Sequence, residues 1–349
     1  MAEAEGESRD WAEMPSDALA AVFGKLDVTD LLNGAGLVCR AWRRLAASDP
    51  TLWRRVDMSH HGDIMEDDEA EAMARAAVDR AAGTMEAFWA DSFVTDGLLL
   101  YISERCSIVC SGKFDLFSDR KSHARCWLSP YVLPIIASSL KSLQLSMCLN
   151  VSNEGMAEAM KGFPHLEELD ITFCSLYGDV CASVGKACPE LKCFRLNERY
   201  TFQMEYVAPD IMDDDTEALG IASNMPELQE LQLIGNKVTN DGLMSILDHC
   251  QHLESLDIRQ CYSIQMDDAL KSKCARIRNL KLPHDSISDF KYRAYIVSNG
   301  AFSGSDLEVD MYDDLLDVVT DDFDADFDDM DDYDDAGSDG AMYDDEFDI

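Results

Sequence analysis

The sequence predicts an α/β chain with three parts: a small helical module, a solenoid of short parallel strands with helices on its outer side, and an acidic tail with no core of its own. Three observations predict it. Apolar residues recur at helical spacing within residues 14–53. A leucine pattern returns about every 25 residues between Leu140 and Leu282. Residues 301–349 hold 21 Asp and Glu and neither Lys nor Arg.

In the first part, Pro15 and Ser16 are start signals, and Leu19, Val22, Phe23 and Leu26 share one helical face. After the turn Asp27-Val28-Thr29-Asp30, residues Leu31, Ala35, Val38, Trp42 and Leu45 form a second stripe, which Pro50 ends before Leu52 and Trp53. A free-standing unit of about 40 residues rarely buries enough core to fold unaided, so part of this surface is expected to meet a partner.

Met14-Pro15, Leu19, Val22-Phe23, Leu26, Leu31, Val38-Cys39-Arg40, Trp42-Arg43 and Leu52-Trp53 follow one known pattern almost position by position, and the segment resembles an F-box. Met14, where leucine is usual, and Gly24, inside a helix, depart from it. The resemblance implies helices packed on the Skp-family adaptor of a cullin-RING ubiquitin ligase. It implies that Pro15, Leu19, Val22, Phe23, Leu31, Val38, Trp42 and Trp53 are shared between the module's core and that interface.

The repeats read Leu140-x-x-Leu143-x-Leu145-x-x-Cys148, Leu166-x-x-Leu169-x-Ile171-x-x-Cys174 and Leu191-x-x-Phe194-x-Leu196. They continue as Leu228-x-x-Leu231-x-Leu233-x-x-Asn236, Leu253-x-x-Leu256-x-Ile258-x-x-Cys261 and Ile277-x-x-Leu280-x-Leu282. Successive starts differ by 26, 25, 37, 25 and 24 residues, the leucine-rich-repeat period with one insertion. Each unit needs a short strand, a turn and a returning helix, and stacking buries one continuous core. Met85-x-x-Phe88-x-Ala90-x-x-Phe93 reads as a degenerate earlier repeat, and Ile108-Val109-Cys110 as the start of another, giving about seven or eight. The expected organisation is therefore an F-box over 9–56, a connecting helical segment over 57–84, repeats over 85–295 with an insertion near 197–215, and a disordered tail over 301–349. F-box proteins whose repeats follow the F-box, most of all the plant branch, resemble the chain over about residues 10–290.

Cys148, Cys174 and Cys261 recur at one repeat position, which predicts buried structural thiols rather than metal ligands or nucleophiles. Strand residues alternating with the leucines should face the concave surface. Among these Gln144, Asp170, Arg195, Gln232, Asp257 and Arg259 are candidates for holding a protein substrate, together with Tyr200, Phe202 and Tyr206 of the insertion.

The net charge of −39 falls to −18 once the tail is set apart (−39 + 21), which argues against nucleic acid or an anionic membrane as partner. The acidic first ten residues carry no export signal, and no apolar run approaches the roughly 20 residues that span a bilayer, so cytoplasm or nucleus is expected. Asp335-x-Gly-x-Asp339-Gly340 lacks a ligand of a calcium loop. No cofactor is expected, and no Ser/His/Asp, metal-spacing or phosphate-loop pattern supports an enzyme. The resemblance implies a substrate-recognition subunit, with the F-box on the adaptor and the repeats on an unidentified protein. The alternative is a chaperone-like protein that shields a basic partner with its repeats and tail.

Overall fold

A computed structural model describes residues 14–59, 65–106, 139–198 and 215–297. The chain divides into two units, Met1–Gly300 and Ala301–Ile349, and the second lies wholly outside the described residues.

The N-terminal helices are α1 (Ser16–Phe23), a π-helical turn (Asp30–Ala35) that runs into α2 (Gly36–Val38), α3 (Arg40–Ser48) and a 3₁₀ turn (Pro50–Trp53). Asp27 accepts from the Asp30 amide and from the Thr29 hydroxyl, which fixes the turn after α1. The Cys39 sulfur receives the Trp42 amide at the start of α3, and Asp49 receives the Thr51 amide at the 3₁₀ turn. Phe23 and Trp42 meet edge to face at 5.3 Å, joining α1 to α3.

Eight strands follow among the described residues: β1 (Arg55–Met58), β2 (Ala87–Asp91), β3 (Ser142–Ser146), β4 (Glu168–Thr172), β5 (Cys193–Asn197), β6 (Glu230–Gln232), β7 (Ser255–Asp257) and β8 (Asn279–Lys281). They form one parallel sheet in chain order. The expected connecting segment, 57–84, is part of this stack: β1 pairs with β2, and α4 (Asp67–Ala81) is its returning helix. The sheet thus begins at Arg55 rather than at 85.

Register alignment stacks Val56, Phe88, Leu143, Leu169, Phe194, Leu231, Leu256 and Leu280 in one column. All but Leu280 are buried. A second buried column is Met58, Ala90, Leu145, Ile171 and Leu196, continued by Leu233 and Ile258. The outer layer is α5 (Asp96–Cys106), α6 (Asn153–Met160), α7 (Val180–Ala187), α8 (Thr216–Asn224), α9 (Asn240–His249) and α10 (Asp268–Cys274). Fully burying each large side chain contributes about 1.5–3 kcal/mol, so these columns are the main source of stability.

Helices stack through a recurring latch. Ser152 caps α6 by accepting from the Gly155 amide, and Asp96 of the preceding repeat receives both the amide and the hydroxyl of Ser152. Asp215 holds Thr239 in the same way at α9. A Cβ on Gly155 would stand 2.0 Å from the Asp96 carboxylate, and one on Gly242 2.1 Å from Asp215. Glycine is required there because the neighbouring repeat fills the space.

Trp53 joins the helical module to the stack. Its buried indole donates to the Ala46 carbonyl at 2.9 Å, and the Arg80 guanidinium of α4 lies 5.0 Å over its ring. Leu19, Phe23 and Trp53 share one continuous hydrophobic core with α4 and the sheet, so module and repeats are one body.

Candidate protein-docking surfaces

The apolar stripes of the N-terminal module divide into two sets. Leu19, Phe23, Leu31 and Trp53 are buried and Trp42 is half-buried. Pro15 is exposed, as are Val22 at 47 % and Val38 at 59 %. Leu37, which the stripe did not single out, is the most exposed of this group at 69 %. Arg43 donates to the Gly36 carbonyl at 2.8 Å, which holds α2 against α3 and fixes where Leu37 and Val38 point. These exposed apolar side chains make this face a candidate surface for meeting another protein.

The strand positions of the concave face line up as Asp57, Trp89, Gln144, Asp170, Arg195, Gln232, Asp257 and Lys281. A polar ribbon links several of them. Asp170 accepts from the Thr172 hydroxyl, Asn197 donates to Thr172 and Gln232, and Gln232 donates to Asp257 at 3.2 Å. Arg195 donates to Glu230 at 2.7 Å and lies 3.9 Å from Asp170. Burial pushes the Asp170 carboxyl up, against the opposing pull of the Thr172 hydroxyl and then Arg195.

Two expected substrate contacts are not free. Arg259 is 1 % exposed and Asp257 6 %, and the guanidinium grips Asp257 through Nε and Nη2. Nη1 of Arg259 donates to the Ser286 carbonyl at 2.6 Å and also pairs with Asp289. The cover is the chain itself: after β8, residues 283–297 pass back over the concave face and end in α11 (Arg293–Val297). Phe290 and Tyr292 pack with Phe173 and Ile234 into a second hydrophobic cluster, and the Tyr292 hydroxyl lies 2.7 Å from Ser146 Oγ. Gln144 is also engaged, donating to that hydroxyl at 3.5 Å. Tyr200, Phe202 and Tyr206 lie outside the described residues. At the edge of that insertion Glu198 is pushed well above the usual carboxylate range by burial and by Glu217, and Asn236 donates to both carboxyls.

The cysteines are packed as small apolar groups. Cys148 and Cys261 are buried and donate to the Ser146 and Leu233 carbonyls, whereas Cys174, from the same repeat position, is only half-buried. The Cys174 thiol and then burial push Cys148 up, burial pushes Cys261 up, and burial raises Cys106, Cys188 and Cys193 to about 12. Each unit of upward shift lowers the thiolate fraction tenfold. Native protein treated with an aromatic disulfide reagent at pH 8 is therefore expected to label these five at least about 100-fold more slowly than an unhindered thiol, with full labelling after denaturation. Labelling of Cys148 or Cys261 at the rate of a free thiol in native protein would contradict their buried role. Among the described residues no cluster of His, Cys, Asp and Glu could hold a metal, and no helix is long and apolar enough to cross a membrane.

Comparison with known proteins agrees with the two-part architecture. An F-box-like family model matches residues 11–59, and a Leucine Rich repeat model matches residues 225–247. Putative F-box/LRR-repeat protein 23 of Arabidopsis thaliana is 35 % identical over 284 residues, 80 % of this chain, and the match spans 54 % of the relative's length. F-box protein SKIP19 of the same plant is 34 % identical over 286 residues, 81 % of this chain and 80 % of the relative. Putative F-box/LRR-repeat protein 22 is 33 % identical over 285 residues, again 81 % and 80 %. With an F-box fused through Trp53 to a leucine-rich-repeat stack, and relatives of this identity and coverage, the chain belongs to the F-box/LRR-repeat proteins.

Proposed function

We propose that the chain is the substrate-recognition subunit of a Skp–cullin–F-box ubiquitin ligase: its F-box holds the Skp-family adaptor, and its repeats hold a protein that the scaffold then ubiquitylates. The observation that carries this reading is the outward set Pro15, Val22, Leu37 and Val38 on a module whose own core is already closed by Leu19, Phe23 and Trp53. The rigid seam at Trp53 supports it, because a receptor must hold its target at a fixed offset from the transferred ubiquitin. Its contribution to the reaction is proximity, and the chemistry belongs to a conjugating enzyme elsewhere on the scaffold. The reading places the protein in the cytoplasm or nucleus.

The test is reconstitution. Full-length chain, adaptor, cullin and RING subunit are incubated with proteins captured by the chain from cells treated with a proteasome inhibitor. The expected result is ubiquitin transfer to captured protein only when chain and adaptor are both present. Transfer independent of the chain would overturn the proposal. The acidic tail, with 21 negative side chains, favours a second reading, a shield for a basic partner. Stable capture of an unmodified basic protein without cullin would support that reading instead.

A further inference from the structure

The segment after β8 does something that sealing the end of the stack does not require. A cap for the last repeat would cover β8, whereas this segment reaches back to Ser146 on β3 and Asp91 on β2. Five strand spacings separate β8 from β3, about 24 Å at about 4.8 Å each. It is pinned at three points. The first is the Asp289 carboxylate, which Lys281 and Arg259 hold far below the usual range. The second is Phe290, which meets Phe173 edge to face at 6.2 Å; Ile234 lies in the same cluster. The third is the Tyr292 hydroxyl against Ser146.

The face beneath has the matching chemistry. At the position that Ser146, Thr172 and Asn197 hold on β3, β4 and β5, and that Arg259 holds two residues beyond β7, Ile234 stands two residues beyond β6, an apolar residue on a polar row. Phe173 adopts a left-handed backbone at φ 56° and packs beside it in the same cluster. On the other side Lys291 lies in the field of Asp57 and Asp91, and Asp170 feels Lys291 in turn. An apolar saddle beside three acidic groups fits an aromatic residue followed by a basic one.

We propose that this part of the concave face is a binding site for a protein segment carrying two aromatic residues around a lysine or arginine, and that residues 285–297 occupy it as a tethered competitor. The biological occupant rests on the substrate-receptor reading; the site itself does not. The tether sets the affinity a competitor must reach, because an attached segment acts at an effective concentration in the millimolar range. A free segment binds in proportion to the fraction of chains whose strap has left.

The probe is a fluorescent peptide of residues 285–297, followed by anisotropy. It is added to the full-length chain, to the double variant Asp289→Ala/Phe290→Ala, and to Asp289→Ala alone. The single variant removes one exposed carboxylate and no buried packing, so it remains informative if the double variant does not fold. The expected result is an affinity at least about 10-fold higher for both variants than for the wild-type chain, since loosening the strap raises the competent fraction. A peptide with Lys291 and Arg293 changed to Glu, or Phe290 to Ala, should lose that binding. Equal affinity for wild type and a folded variant, or equal binding of the altered peptides, would overturn the proposal. Adaptor capture read on the same samples is separate: its loss alone would count against the proposed function and leave the peptide result standing.

Discussion

Changing Val22 and Val38 together to Asp is expected to weaken capture of the Skp-family adaptor by at least about 100-fold while leaving the melting temperature of the chain unchanged. Both side chains are about half or more exposed in the free protein, so a carboxylate there stays hydrated until a partner covers it. Stranding a charge in a desolvated interface costs several kcal/mol, and about 2.7 kcal/mol already corresponds to 100-fold. Leu37→Asp should add to the loss. Leu19→Ala and Trp53→Ala must be read differently, because both residues are buried in the shared core. Trp53→Ala should cost about 3–5 kcal/mol in stability. It would weaken adaptor binding only by loosening the module. Adaptor capture by the double aspartate variant at the wild-type level would show that the outward face is not the interface.

The second large effect is expected at Arg259. Its guanidinium is buried between Asp257, the Ser286 carbonyl and Asp289, so Arg259→Ala leaves Asp257 in the interior with fewer partners. Removing one member of a buried ion pair typically costs about 3–5 kcal/mol. At about 2–4 °C per kcal/mol for a body of this size, thermal unfolding should fall by about 6–20 °C. Asp257→Ala combined with Arg259→Ala should cost less than the sum of the single changes, because the two residues share one interaction. A melting temperature for Arg259→Ala within about 2 °C of wild type would contradict the buried network. Charge reversal at these two positions therefore reports on folding, not on substrate contact.

The leucine pattern was legible because those leucines are the buried columns themselves, repeated wherever a strand passes. The first repeat was not. β1 is four residues, Arg55-Val56-Asp57-Met58, with no leucine, and α4 faces the core with Ala70, Ala74, Ala77, Ala81, Met73 and Val78. A leucine template does not read an alanine face. In the F-box, helical periodicity grouped the buried Leu19 and Phe23 with the exposed Val22 and Val38, because spacing alone does not separate the side facing the module's own core from the side left outward. The outward residue Leu37 stands off that stripe and carries no periodic signal. On the concave face, alternation gave the strand directions of Gln144, Asp170 and Gln232. What lies above them depends on contacts such as Tyr292 to Asp91, 201 positions apart, which no local pattern encodes.

If the F-box is a docking module held by the repeats, the folded chain binds the adaptor directly through its outward apolar face. Calorimetric titration of a purified Skp-family adaptor into the full-length chain tests this most directly. A one-to-one complex with a Kd below about 1 µM is expected for the wild-type chain. No measurable heat of binding is expected for the Val22→Asp/Val38→Asp variant at the same concentrations, with both proteins melting at the same temperature. Absence of a complex with the folded wild-type chain, or equal affinity for the two proteins, would contradict docking through this face.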